Sequence, residues 1–289
     1  MAMLLLVPGH QKIFVRAPSR ILSESSRRAM IRLHAPSATR RVRCAAAGVP
    51  PATTKRSEYE WRGSRVAFVS SPATTAPSSS ATNPALVLVH GFGSSGAHFR
   101  ELLKPGAMPA ADVYAIDLLG FGESEKPTTV PINMRLYRDQ ILHFIETHVP
   151  PGAPVHLVGN SIGSLAALMV GAVAGDNPEA GSSSKVKSVV LLNCAGGLNN
   201  KGAAKEWYTK IILPIFFLID VLLWSPWGRQ LFDNVRSTEN LKKVLTNLYP
   251  SNPGAVDDEL VRQFADPAED PNAFHVFREI YTTSDAGGY

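Results

Sequence analysis

The run Pro154-Val155-His156-Leu157-Val158 leads directly into Gly159-Asn160-Ser161-Ile162-Gly163 and then into the small-residue stretch Ser164-Leu165-Ala166-Ala167-Leu168. That reads as a strand, a sharp turn and a helix with no loop between them. A strand that reverses so abruptly brings backbone against backbone, and glycines two positions either side of the central residue leave the space for it. The central residue itself is forced into a strained backbone region with its side chain standing proud of the turn. This arrangement, a nucleophile elbow, makes Ser161 the first candidate catalytic residue, with Gly159 and Gly163 as the elbow glycines.

An elbow sequence alone recurs by chance, so a second element is needed. Ala85-Leu86-Val87-Leu88-Val89 is a continuous apolar run of the kind buried on both faces of a parallel sheet. It empties into His90-Gly91-Phe92-Gly93-Ser94-Ser95-Gly96, a loop able to present bare backbone N–H groups. A developing oxyanion needs two donors, one from the residue after the nucleophile and one from the loop after an earlier strand. Ile162 and Phe92 fill those places, with His90, Gly91 and Gly93 completing the oxyanion loop. His143 and His148 read as surface or helix-end residues of a helix over Ile132 to His148. Cys194 reads as a small buried apolar residue.

A third strand, Val113 to Asp117, runs into Leu118-Leu119-Gly120-Phe121-Gly122-Glu123-Ser124, and another covers Val186 to Leu192. The series LVLVHGFG, VYAIDLLGFGES, GNSIGS and VVLLNCAGGLNNKG (Val189 to Gly202) resembles the plastid α/β-hydrolases of plants and cyanobacteria. Within that group it is most similar to chlorophyll dephytylase, with pheophytinase more distant. The resemblance runs roughly from Glu60 to Thr283 and includes Asn240 to Leu245 and Asp257 to Val261. It implies an α/β-hydrolase fold, a mostly parallel sheet flanked by helices with an inserted helical lid. It also implies a serine-dependent hydrolase of carboxylic esters, acting on a hydrophobic plastid ester such as the phytyl ester of chlorophyll. An acyltransferase using the same serine differs only in its acceptor. Dehalogenases and epoxide hydrolases of this fold use an aspartate at the elbow, and Ser161 argues against both.

The triad of such enzymes runs in chain order serine, acid, histidine, the last two on loops after later strands. The relatives carry both in a C-terminal portion of the core beyond the lid, and no matching residue can be carried over before Tyr289. The expectation is a sheet short of its C-terminal strands, with an open edge and exposed apolar surface, and Ser161 without its base. A catalytically incomplete binding protein, or a fragment of a longer gene product, is the alternative. One pair within the chain satisfies the order: Ile215 to Asp220 can be read as a strand ending in an acid, and His275 is the sole histidine after Ser161. Against Asp220 and His275, Ala273 to Arg278 has a helical pattern and no strand run precedes it.

Lys205 to Tyr281 reads as helices. Leu241, Val244, Leu245 and Leu248 share a face after a Ser237/Thr238 cap, and Phe274, Phe277 and Tyr281 repeat the spacing. Ile211 to Trp224 is about 14 residues long and holds Pro214 and Asp220, whereas a bilayer-spanning helix needs about 20. It reads as a lid helix, or as a greasy lid wall that accepts a long tail and touches a membrane surface.

The net charge of +5 over 289 residues misleads. Residues 1–44 hold nine Lys/Arg against one acid, Glu24, leaving +8 there and −3 on the remainder. No basic patch for nucleic acid survives that division. The Arg-rich, acid-poor leader has the composition of an organelle transit peptide, with processing expected near Cys44 and a chloroplast destination, mitochondrion being the alternative. The expected organisation is transit peptide 1–44, linker 45–57, N-terminal part of the hydrolase core 58–202 and helical lid 203–289. Ser70 to Asn83 is expected to be a mobile loop. The sequence offers no metal-ligand cluster with usable spacing and no phosphate-binding glycine loop, so cofactor-free chemistry is expected. The expected partners are a small hydrophobic ester and a peripheral thylakoid or envelope membrane contact.

Overall fold

The computed structural model describes residues 2–6, 14–16, 54–76, 82–176, 185–195 and 221–282. Two short strands open the chain, β1 (Ala2–Leu6) and β2 (Phe14–Arg16). A hairpin of β3 (Lys55–Trp61) and β4 (Ser64–Ser71) follows. Its two turn residues, Arg62 and Gly63, both have positive φ, 52° and 74°, the backbone a two-residue turn needs to match the twist of its strands. Next come β5 (Ala85–Val89), β6 (Asp112–Ile116), β7 (Val155–Asn160) and β8 (Val186–Leu192).

These strands form one sheet in the order β2-β1-β8-β7-β5-β6-β4-β3. The pairs β1/β8, β8/β7, β7/β5 and β5/β6 are parallel, and the others antiparallel. The open edge expected beyond β8 is therefore covered: β1 pairs along it, Ala2 against Ser188 through Leu6 against Leu192. The hairpin also reaches further than expected at both ends. β3 begins at Lys55, inside the expected linker, and β4 takes in Ser70 and Ser71, the start of the expected mobile loop. Beyond them the N–H groups of Thr74 and Thr75 both donate to Pro109 O, and that of Ala73 donates to Asp112 Oδ1.

Helix α1 (Arg100–Leu103) follows a short 3-10 turn at Gly96–Phe99. With that turn it covers one face of the sheet, where Leu88, Phe99, Leu103, Val113 and Ala115 make a small core. The other face carries α2 (Met134–His148) and α3 (Ile162–Asp176). Val87 and Val89 point that way, into a core that includes Tyr137, Ile141, Phe144 and Val170. The alternation of Val87, Leu88 and Val89 between two dry faces explains the unbroken apolar run. Asn133 starts α2 by accepting the Leu136 N–H through its side chain.

Beyond β8 the described residues hold, besides a helical stretch at 221–224, four helices in the region expected to form the lid: α4 (Gly228–Val235), α5 (Thr238–Leu248), α6 (Asp258–Ala265) and α7 (Ala273–Thr282). Ser237 caps α5, accepting the Asn240 N–H. The apolar stripe expected on α5 is only half used: Leu245 is buried, while Val244 and Leu248 are exposed. On α7 the buried positions are Ala273 and Val276, each one residue before an expected aromatic, while Phe274 and Phe277 are half-buried. Asp220 and most of the Ile211 to Trp224 stretch lie outside the described residues, as does Cys44. Among the described residues no helix is long and apolar enough to cross a membrane.

Chain order places the functional crevice. From β5 the chain passes to β6 on one side and then to β7 on the other. The carboxyl ends of β5 and β7 flank such a reversal, where open α/β sheets leave room for a ligand. Val89 sits opposite Gly159 in the ladder, so the loops leaving these two strands start side by side.

Candidate functional site

Ser161 stands between β7 and α3 with φ of 55°, one of three non-glycine residues with positive φ among those described. Its neighbours explain why the chain tolerates this. A Cβ on Gly163 would overlap the carbonyl oxygens of Val89 and His90, and one on Gly159 would overlap the Gly163 carbonyl. Neither glycine has positive φ. Their requirement is steric, and they let α3 press against the ends of β5 and β7. The Ser161 N–H donates to Leu192 O at 2.9 Å, and the Ser161 carbonyl accepts from Ser164 and Ala195.

Ser164, which the sequence shows only as another small residue, clamps the elbow. Its hydroxyl is fully buried, lies 2.5 Å from Gly159 O and 2.9 Å from Leu192 O, and accepts the Leu192 N–H at 3.1 Å. The strain at Ser161 is measurable. A left-handed residue with a Cβ costs about 1–2 kcal/mol, so Ser161→Gly is expected to be about 1 kcal/mol more stable than Ser161→Ala in urea unfolding.

The β5 loop faces this serine. A Cβ on Gly91 would lie 3.2 Å from the Ser161 Cβ, so that glycine permits the approach. Gly93 has φ of 68° with nothing near its missing side chain, a conformational requirement alone. Ile162 opens α3, so its N–H belongs to the first turn, where amides lack an intrahelical acceptor. The Phe92 ring stacks edge-on against Phe121 at 5.5 Å and meets Phe277 of the lid at 5.5 Å.

His90, placed by its sequence in the oxyanion loop, is a tether. It is fully buried; its Nε2 accepts the Leu118 N–H at 3.0 Å and its Nδ1 lies 2.7 Å from Gly91 O. Because an amide can only donate, the proton of the neutral ring is on Nδ1. Burial lowers its pKa below the ordinary 6.5, against the opposing pull of Asp117 and of the Gly91 bond. Both nitrogens are occupied by backbone, and the ring joins the β5 loop to the β6 loop.

That second loop is built around Asp117. Its carboxylate accepts the N–H groups of Gly96 at 2.5 Å and Glu123 at 2.8 Å. Gly122 wraps so closely that a Cβ there would overlap the carboxylate. The Asp117 carbonyl accepts from Ser124 Oγ and Gln140 Nε2, and Gln140 Oε1 accepts the Leu119 N–H. Burial raises the Asp117 pKa, opposed by His90 and the Gly96 bond. Gly120, with φ of 93°, leaves room for the lid: a Cβ there would lie 2.7 Å from Val276.

The lid is anchored on the other side of the β5 loop. Ser94 Oγ lies 3.1 Å from His98 Nδ1, and His98 Nε2 lies 2.9 Å from the Tyr249 hydroxyl. Arg100 grips Asp257 through two bonds of 2.9 and 2.8 Å, while Asp257 also caps α6 by accepting the Leu260 N–H. No local pattern predicts the His98–Tyr249 and Arg100–Asp257 pairs, whose partners are about 150 residues apart in sequence.

No side chain among the described residues hydrogen-bonds Ser161. His275 lies in α7, on a helix and not on a loop after a strand, so the Asp220–His275 order gains no structural footing at the histidine. His143 and His148 lie on α2, where both pack against Tyr59 and His148 also against Phe144. Cys194 is a free thiol, half-buried beside the elbow. Among the described residues no group of His, Cys, Asp and Glu could hold a metal ion. A cavity of about 500 Å³ opens between β4, the Asp117 loop and α6, lined by Phe68, Asp117, Glu123, Arg262 and Gln263 among others. Ser161 is not part of that lining.

Residues 86–283 match the family model described as "Alpha/beta hydrolase family". Among solved structures, the chain is similar to the epoxide hydrolase CorEH without ligand, with a TM-score of 0.58, 18% identity, and 81% of this chain and 75% of that one covered. It is also similar to Cfl2 from Burkholderia cenocepacia, with a TM-score of 0.58, 19% identity, and 79% and 70% covered. At these identities the likeness is one of fold.

Proposed function

This chain belongs to the alpha/beta hydrolase family, and we propose that within it the protein cleaves carboxylic esters through Ser161. The observation that carries this reading is the strained serine at the β7–α3 turn with the glycine loop of β5 against its Cβ. In the proposed reaction the Ser161 oxygen attacks the ester carbonyl, and its proton passes to a base. The carbonyl oxygen, now anionic, receives the N–H groups of Phe92 and Ile162. Collapse of the tetrahedral adduct expels the alcohol, which takes a proton, and water then repeats the sequence on the acyl-enzyme. An aspartate nucleophile, as used on this fold for epoxides, is absent from the elbow.

The substrate class we propose is a hydrophobic plastid ester, with the phytyl ester of chlorophyll as the specific form. The aromatic contacts of Phe92 with Phe121 and Phe277 support an apolar ester. The plastid form rests on the sequence resemblance and the Arg-rich leader, and carries with it a chloroplast location and contact with an internal membrane surface.

A second reading has an observation of its own. Because no described side chain bonds Ser161, a protein that binds such esters without turning them over is the rival. Loss of the histidine in a serine hydrolase costs about a million-fold in turnover, and the oxyanion site with binding retains about 10³–10⁴ over water. A fluorophosphonate probe separates the two. Phosphonylation of Ser161 at ordinary serine-hydrolase rates, abolished in Ser161→Ala, is the expected result. A folded sample that stays unlabelled assigns the protein to the binding class.

A further inference from the structure

The Phe92 N–H, the proposed donor from the β5 loop, belongs to the same planar peptide as the Gly91 carbonyl and points opposite to it. Its aim is therefore set by whatever holds Gly91 O. Two groups do: His90 Nδ1 at 2.7 Å and the Ser94 N–H at 3.3 Å. The second bond closes a four-residue turn, Gly91 to Ser94. Its third residue, Gly93, has φ of 68°, the positive value that a type II turn demands at that place. The Ser94 bond is the longer of the two, and it holds only while Ser94 itself is kept in position.

That position is fixed from outside the loop. Ser94 is buried, its hydroxyl lies 3.1 Å from His98 Nδ1, and His98 Nε2 lies 2.9 Å from the Tyr249 hydroxyl. A neutral imidazole donates through one nitrogen and accepts through the other, so the ring can bond both hydroxyls at once. Burial, with His90 and Arg100 nearby, lowers the His98 pKa and keeps the ring neutral above pH 6.5. Tyr249 is held in its turn. It ends α5, its N–H donating to Leu245 O and Thr246 O, and it packs against the small core of Leu245, Val256, Leu260 and Val261. Phe264 of α6 packs on that same core and meets the His98 ring edge-on at 5.8 Å. The helical unit of α5 and α6 thus reaches the turn through Tyr249, His98 and Ser94 in series.

We infer that Tyr249 is a positioning residue for the chemistry of Ser161, holding the Gly91–Ser94 turn through His98 and Ser94. The inference deepens the ester reading, on which its functional sense rests. The oxyanion donor is then aimed only while α5 is seated on the core, which makes the site responsive to these helices. The two bonds from Arg100 to Asp257 fasten the same unit without touching the turn. Removing the Tyr249 hydroxyl therefore breaks the series and leaves the seat.

The test is amide hydrogen exchange in Tyr249→Phe, Ser94→Ala and the double variant. Tyr249→Phe takes away one hydroxyl and keeps the ring in its packing. Protection of the amide at position 94 is expected to fall about three- to tenfold in each single variant, the effect of one net hydrogen bond. The double variant should lose no more than either single one, because both act on one series. Protection in β5 and β7 is expected to match wild type. Three results overturn the inference: unchanged protection at position 94 in Tyr249→Phe, a loss shared equally by β5 and β7, which is a fall in global stability, or losses that multiply in the double variant. Fluorophosphonate labelling of the same samples gives the chemical readout. At saturating probe the Tyr249→Phe rate is expected to fall about tenfold, with the half-saturating concentration unchanged. Labelling undiminished in Tyr249→Phe overturns the positioning role and leaves the ester reading standing. A wild type that stays unlabelled, with the exchange result as expected, removes only the ester reading.

Discussion

Gly163→Ala is expected to cost more than about 4 kcal/mol in urea unfolding, or to leave no folded protein, because the added methyl has nowhere to go. The atoms it would meet are the carbonyl oxygens of Val89 and His90 at the end of β5. A side chain can rotate away from an overpacked site; a strand in the middle of a sheet cannot. Relief requires α3 to move outward, which pulls Ser164 from Gly159 and Leu192 and strands their buried polar groups. Gly93→Ala is the control. That position lies in the same β5 loop, but its requirement is positive φ with empty space around it, so its cost should be about 1–2 kcal/mol. Equal costs at the two positions would show that α3 is not pressed against β5 as described.

Acidification below about pH 6.5 is expected to lower the stability of the protein, with His90 as a principal cause. Burial lowers the pKa of His90 below 6.5, and burial with the nearby His90 and Arg100 does the same to His98. Below pH 6.5 the unfolded chain takes up protons on these rings that the native state refuses. Their contribution is therefore fully present above 6.5 and is lost as pH falls through each folded pKa. Each such histidine contributes up to about 1.4 kcal/mol per pH unit in that window. Asp117 acts in the opposite sense at lower pH. Burial raises its pKa above the usual 3.8, so its protonated form favours the native state below the raised value, and that support is lost as pH rises through it. The measurement is unfolding free energy from about pH 7.5 down to about pH 5, in wild type and in His90→Asn. Below about pH 6.5 wild type should take up more protons on unfolding than the variant, by at most about one. Identical slopes would contradict the neutral, doubly tethered ring.

The sheet was legible because its signals are local. The apolar run at Ala85–Val89 coincides with β5, since a strand buried on both faces admits little else, and the strand read at Val186–Leu192 coincides with β8. The elbow was legible for a steric reason: only glycine fits at 159 and 163, so the requirement is written in the residue type. The roles of His90 and Ser164 were not, because the same letters serve for a loop histidine or a small helix residue until Leu118, in the loop after β6, and Leu192, at the end of β8, arrive beside them. The lid was read as helical but its faces were misjudged. Val244 and Leu248 have the periodicity of a buried stripe and are exposed, while Val276 is buried because Gly120 happens to open a place for it. The pairing of β1 with β8 had no signature in a leader whose composition reads as a targeting segment.

The central claim is that the Ser161 hydroxyl faces two backbone donors, and the most direct test is a crystal structure of the phosphonylated protein. The phosphoryl oxygen on Ser161 is expected to lie about 2.7–3.1 Å from the backbone nitrogens of both Phe92 and Ile162. A phosphoryl oxygen turned away from Phe92, or an adduct formed on another side chain while Ser161 stays unmodified, would contradict the assignment.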